Sequence, residues 1–212
     1  MVLVEFILEI SQKLSELLAI AVSVFAIMDP PAAIPTLISY ISSLASSESA
    51  DIEKVVVRIV NKAATSILLL LALFSLVGEY VLKVFNISLE SLRIAGGLLL
   101  IILAVDMLLS KEKIEEVRSG DFAVVPIATP LIVGPGTMST LIVYSRIYGP
   151  LTTLVGALIA FTATYVMLRF SYKAFKYLGK SVLQGLGKFM AIIVASIAVE
   201  LILSGFRGLK LI

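Results

Sequence analysis

The sequence predicts an all-α fold: a polytopic membrane protein of six transmembrane helices, arranged as two inverted three-helix repeats with broken first and fourth helices. Three observations carry that expectation. Apolar segments of bilayer-spanning length alternate with short charged islands, the mean hydropathy is +1.09, and a proline motif near residue 30 recurs near residue 130. Of the 212 residues 59% are hydrophobic and 15% charged, whereas soluble domains carry about 25% charged residues. Most of the surface must therefore face lipid rather than water.

The apolar segments run over about 17–45, 63–82, 91–109, 122–145, 150–168 and 188–206. All but the first and fourth are nearly uninterrupted. A backbone in hydrocarbon must satisfy its own hydrogen bonds, and uniformly apolar runs of ~20 residues do so as α-helices, not as barrel strands of alternating polarity. The stretch VLVEFILEISQKLSE ahead of the first run is acidic and offers no small-residue cleavage site, so it is not read as a signal peptide. It is either an interfacial lead-in or an extension of the first helix.

Positive charge stays on the cytoplasmic side of a membrane. One set of loops holds Lys54, Arg58, Lys62, Lys111, Lys113, Arg118, Arg169, Lys173, Lys176, Lys180 and Lys188; the other holds Lys13, Lys83, Arg93, Arg146, Arg207 and Lys210. The richer set should be cytoplasmic and both termini outside. The net charge of +2 gives no reason to expect nucleic acid. With no Cys and no His, zinc sites, disulfides, thiol nucleophiles and imidazole chemistry are all excluded. No enzyme motif, metal site or cofactor is expected, and proton handling falls to Asp, Glu, Lys or Tyr.

The internal repeat is the most informative feature. Residues 29–39 read DPPAAIPTLIS and residues 129–139 read TPLIVGPGTMS, so that Pro30, Pro35 and Ser39 recur as Pro130, Pro135 and Ser139. Each copy lies in the first span of its half, taken as 1–110 and 111–212. Three spans per half is an odd number, so the halves enter the membrane in opposite senses, as in many secondary transporters. Prolines five residues apart each remove an N–H and clash with the preceding turn, so both helices should break there. The candidate solute site is therefore Asp29, Pro30, Pro31, Ala32 and Ala33 in the first copy, with Thr129, Pro130, Gly134, Pro135, Gly136 and Thr137 in the second. Helix starts after each break aim positive N–H ends into the gap, suited to a carboxylate, while Asp29 and freed carbonyls suit an ammonium. That combination fits a zwitterion. Asp29 also reads as an N-cap for the helix resuming near Pro31, a role Thr129 could share.

Two further carboxylates, Asp106 and Glu200, occupy matching places in the third and sixth spans. They pair by position with Lys188 and Arg93 and are coupling or gating candidates along with Asp29, against the plainer reading that residues near helix ends snorkel to the interface. Gly96 and Gly97 are expected to let helices approach closely, and Lys173, Lys176 and Lys180 form a basic stripe suited to anionic headgroups.

Taken together, MDPPAAIPTLIS, RIAGGLLLIILAVDML, IATPLIVGPGTMSTLIV and IAVELILSG resemble, in order and over nearly the whole chain, the MarC family of small neutral amino acid transporters, which includes SnatA-like proteins. The resemblance implies a cell-membrane carrier for glycine, alanine and serine, driven by protons or membrane potential. Pro31 and Ala32 depart from the family's usual small residue followed by proline. A proton is the expected coupling ion, with sodium as the other choice through Thr129, Thr137 or Ser139. Rival readings are an exporter or channel for another small polar solute, and an intramembrane enzyme, for which no paired catalytic motif is present.

Overall fold

The computed structural model describes residues 2–31, 33–34, 37–38, 52–109 and 133–209. Among these residues there is no strand, and six helices have both ends described: α1 (Val2–Met28), α2 (Ile52–Val84), α3 (Leu89–Leu109), α4 (Pro135–Tyr148), α5 (Pro150–Arg169) and α6 (Ser171–Gly208). Among the described residues, α1, α2, α3, α5 and the stretch Ser181–Gly208 of α6 are long and apolar enough to cross a membrane. The expected fourth span, 122–145, is described only from residue 133, and its helix α4 has 14 residues. The first half of that span lies outside the described residues.

Helix ends follow local chemistry. The 33-residue α2 closes in a Schellman motif: Ile87 N donates to Leu82 O at 2.9 Å and Asn86 N to Lys83 O at 3.2 Å. Asn86 takes φ +51 to make the turn, a left-handed conformation that asparagine tolerates better than most residues. Ser88 then caps α3, its Oγ accepting from Ser91 N at 3.1 Å. Gly149 (φ +89, ψ 153) separates α4 from α5, with Pro150 in the first position of the new helix, where its missing N–H costs nothing. α6 carries a kink at Gly179, where φ is +74 and ψ is 167.

Three expected boundaries move outward. The N-terminal stretch proves to be an extension of α1, and α2 and α6 each begin ten or more residues before their apolar runs. In all three places polar residues join the helix where it leaves hydrocarbon. Glu9 and Lys13, for example, pair at 3.1 Å one turn apart on the exposed part of α1.

Apolar burial cannot drive helices together in lipid, so close backbone approach and directed polar contacts must do more of the work. α3 packs along α6 more extensively than any other pair. A Cβ on Gly97 would meet Ile202 at 2.5 Å and the Ala198 carbonyl at 2.7 Å, and Gly205 lies against Ile94. Gly96, next to Gly97, faces Ser139 of α4, so the glycine doublet opens α3 toward two neighbours. α1 lies on α5 in the same direction: Gly156 touches Ile20, and eight residues further on Thr164 Oγ1 approaches Met28 Sδ at 3.9 Å. Ser145 Oγ of α4 donates to Ser75 O of α2 at 2.8 Å.

Two buried clusters result. One joins α1, α2 and α5 around Ile20, Met28, Leu71, Ala157 and Leu168; the other joins α3, α4 and α6 around Leu100, Ala104, Val143, Val194 and Ala198, with Ala26 and Ile27 of α1. Tyr144 packs against both. Each cluster mixes residues from 1–110 with residues from 111–212, so neither half carries a core of its own. Outward-facing side chains such as Leu69, Ile102 and Leu151 are two-thirds or more exposed, as expected of a lipid-facing surface.

The helix directions sort the molecule into two ends. Gly208 lies against Glu90, placing the end of α6 at the start of α3, the same end as the Asn86 turn. At the other end Tyr165 reaches Asn61, and Lys173 pairs with Glu53 at 3.2 Å.

Candidate solute site at the end of α1

The residue after α1 is Asp29, with φ +39. Pro30 disfavours the right-handed helical region at the residue before it, and Asp29 takes the left-handed region, which aspartate tolerates better than most residues. The helical hydrogen bonds continue across Asp29: Asp29 N still donates to Phe25 O, and Ala33 N donates to Asp29 O, both at 3.2 Å. Residues 30–31, 33–34 and 37–38 are helical again. The expectation of several freed carbonyls is thus corrected at Asp29, whose own carbonyl remains in use. Asp29 is 7% exposed and Ala33 2%, and Pro30 and Pro31 are buried. Ala32 lies outside the described residues.

In the second copy, Gly134 is extended (φ −91, ψ −179) and α4 begins at Pro135. Met138 N donates to Gly134 O at 3.1 Å, closing the first turn. Thr129 and Pro130 lie outside the described residues. Gly136 is wedged between two helices: a Cβ there would meet Leu100 of α3 at 2.5 Å and Ile27 of α1 at 3.6 Å. Ile27 is two residues before Asp29, so the end of α1 meets the start of α4 just ahead of the first motif. Thr137 is 1% exposed, and Ser139 Oγ donates to Gly136 O at 3.0 Å. The N-terminal turn of α4 carries the positive end of the helix dipole into a buried region.

Sequence reasoning missed several polar groups nearby. Thr140 sits on the Thr137 side of α4, fully buried, and its Oγ1 makes no hydrogen bond among the described residues. Ser23 of α1 is hydrogen-bonded to Tyr144. Thr164 lines a small cavity between α2 and α5, and its contact with Met28 places that cavity beside the end of α1. Only the repeat spacing singled out this region in the sequence; isolated hydroxyls within apolar runs carry no spacing signal.

The expected charge pairs do not form among the described residues. Glu200 pairs with Arg207 at 3.4 Å on its own helix, both well exposed, rather than with Arg93. Arg207 lies two turns further along the same face and reaches the carboxylate without crossing to α3. Asp106 and Lys188 are exposed and do not meet. Arg93 is half-buried, its Nε without a hydrogen bond among the described residues.

Comparison with known proteins agrees with this architecture. The family described as "MarC family integral membrane protein" matches residues 14–210. A UPF0056 membrane protein of Pyrococcus abyssi is 31% identical over 192 residues, covering 88% of this chain and 92% of its own. The UPF0056 membrane protein YvbG of Bacillus subtilis is 28% identical, covering 89% and 92%, and YhcE of Escherichia coli is 26% identical, covering 89% and 90%. No solved structure matches. Family and apolar helices together make this a multi-pass integral membrane protein, and the chain belongs to the MarC family.

Proposed function

We propose that the chain is a secondary transporter of small neutral amino acids of the glycine, alanine and serine class, in the cell membrane with both termini outside. The observation that carries this reading is Asp29: a carboxylate 7% exposed and left-handed in backbone, two residues after Ile27, whose side chain meets the start of α4 at Gly136. A buried carboxylate in a membrane protein costs about 2.5–3.5 kcal/mol on insertion scales and is a functional residue by default. An ammonium would lie at Asp29, and the carboxylate of the same zwitterion at the first-turn N–H groups of α4, with the Thr140 hydroxyl in reserve. The apolar, small-residue surroundings leave little for a charged or long polar side chain to bind.

The packing pattern supports two related halves of opposite sense. α1 rests on α5 as α4 rests on α2, and α3 pairs with α6; exchanging the first three helices for the last three leaves this list unchanged.

The test is uptake of labelled glycine by proteoliposomes under an imposed potential or pH gradient, with Asp29→Asn alongside. Saturable uptake lost in the variant is expected, and a pH gradient should drive it if Asp29 carries the coupling proton. Uptake indifferent to pH but dependent on sodium would move coupling to the hydroxyl-bearing side of α4. Flux that never saturates would replace the carrier with a channel.

A further inference from the structure

A side-chain clamp closes the basic end of the α2–α5 groove. Tyr165 OH donates to Asn61 Oδ1 at 2.7 Å, and Arg169 Nη1 donates to Tyr165 OH at 3.1 Å and to Asn61 Oδ1 at 3.4 Å. Arg169 is the last residue of α5, so the clamp lies where α5 leaves the membrane, at the end that also holds Lys173 and Glu53. Behind it is the cavity between α2 and α5, walled by Ala63, Ala64, Ile67, Phe161, Thr164 and Tyr165. Tyr165 belongs to both structures: its hydroxyl is in the clamp and its ring, stacked on Phe161 at 5.9 Å, is in the cavity wall. At the inner side Thr164 touches Met28, the residue before Asp29. Tyr165 thus joins clamp to cavity, and Thr164 joins the cavity wall to the residue before Asp29.

We propose that this series is the route by which the solute reaches Asp29 from the basic end, and that Asn61, Tyr165 and Arg169 are its gate and outer recognition site. The proposal rests on the transporter reading and adds the path. The ligand class follows from the chemistry of the clamp. Arg169 is held by two neutral acceptors at 3.1 and 3.4 Å, and charge-assisted bonds to a carboxylate are shorter and stronger than these. A solute carboxylate displaces Asn61 Oδ1 from the guanidinium, which leaves only the Tyr165–Asn61 bond joining α2 to α5 in the clamp. The side chains of the cavity wall beyond are carbon except at Thr164 and Tyr165. Separation in sequence hid the clamp, since Asn61 and Tyr165 are 104 residues apart.

The chain has no cysteine, so one introduced thiol reports the gate directly. In sealed vesicles bearing Ala63→Cys, a membrane-impermeant methanethiosulfonate applied at the basic end should react slowly. Adding Tyr165→Phe or Arg169→Gln should speed the reaction about tenfold, because each removes hydrogen bonds of the clamp. Asn61→Asp, which gives Arg169 a charged partner, should slow it below the parent rate; a disrupted fold cannot produce that result. Saturating glycine should raise the parent rate. Equal rates in all four proteins, or reaction only from the opposite face, overturn the gate. Labelling needs no solute movement, so the ordered rates in a chain that takes up no glycine would keep the gate and discard the transporter. Glycine uptake with labelling indifferent to all three substitutions would do the reverse.

Discussion

A Cβ built on Gly97 of α3 lies 2.7 Å from the carbonyl oxygen of Ala198 in α6. The obstacle is backbone and cannot rotate away, so the two helices touch at main-chain distance only while residue 97 is glycine. Gly97→Ala should cost about 1–3 kcal/mol, the usual range for overpacking, and lower the thermal midpoint in detergent. Gly185 has nothing within 4 Å of its Cβ direction, and Gly185→Ala should leave the midpoint unchanged or raise it. Equal effects at the two positions would mean that the α3–α6 approach is not the close contact described.

Gly136 offers a test that separates function from folding. Its Cβ direction is blocked at 2.5 Å by the end of the Leu100 side chain, with Ile27 just behind. Gly136→Ala should push the start of α4 away from Leu100 of α3, reducing glycine uptake by more than its effect on the midpoint would suggest. Adding Leu100→Ala should restore part of that uptake, a coupling that neighbouring positions show and distant ones do not. No recovery in the double variant would remove the wedge from the account.

At the α2–α3 turn, Asn86→Gly should preserve stability, since glycine takes φ +51 freely, whereas Asn86→Val should cost about 1–2 kcal/mol. Ser88→Ala should cost about 1 kcal/mol through loss of the α3 cap. Thermal midpoints of the three variants decide the matter, and a valine as stable as the glycine would contradict the left-handed turn.

The sidedness of the molecule can be checked with the same cysteine-free background. Ile87→Cys and Lys176→Cys should react with an impermeant reagent from opposite faces, Ile87 from outside. Reaction of both from one face would refute the helix directions; the pair reversed would refute only the assignment of inside and outside.

How far the sequence anticipates all this depends on what each residue responds to. The limits of α3 and α5 fall within two residues of the expected 91–109 and 150–168, because Ser88 and Pro150 mark sharp changes from loop chemistry to uniform hydrocarbon. Hydropathy locates the lipid and not the hydrogen-bond ladder, so α1, α2 and α6 continue into polar sequence that the apolar runs could not delimit. Pro135 could have marked the start of α4, as proline favours the first helical position. The repeat marks the end of α1 at Asp29, but it does not say that the Asp29 amide and carbonyl stay in helical hydrogen bonds through the left-handed residue. Glu200 was matched to Arg93 by its place in the repeat; a cation two turns along the same helix was closer. The clamp of Asn61, Tyr165 and Arg169 had only one sequence cue, the four-residue spacing of tyrosine and arginine on one helical face.

The kink at Gly179 has a mechanical consequence. The segment before it, with Tyr172, Ala174 and Phe175 packed on the α1–α2–α5 cluster, is fixed to the bundle, while Ser181–Gly208 crosses the bilayer with α3. With no neighbour within 4 Å of its Cβ direction, residue 179 joins the two without wedging either. Leu183 still sits in that cluster, so the part of the α3–α6 pair beyond it can change its tilt, and so its projected length, without lifting the anchored segment from the surface. Membranes of different thickness would be met by rotation near this joint, and α1, α2 and α5 would keep their spacing as they did so.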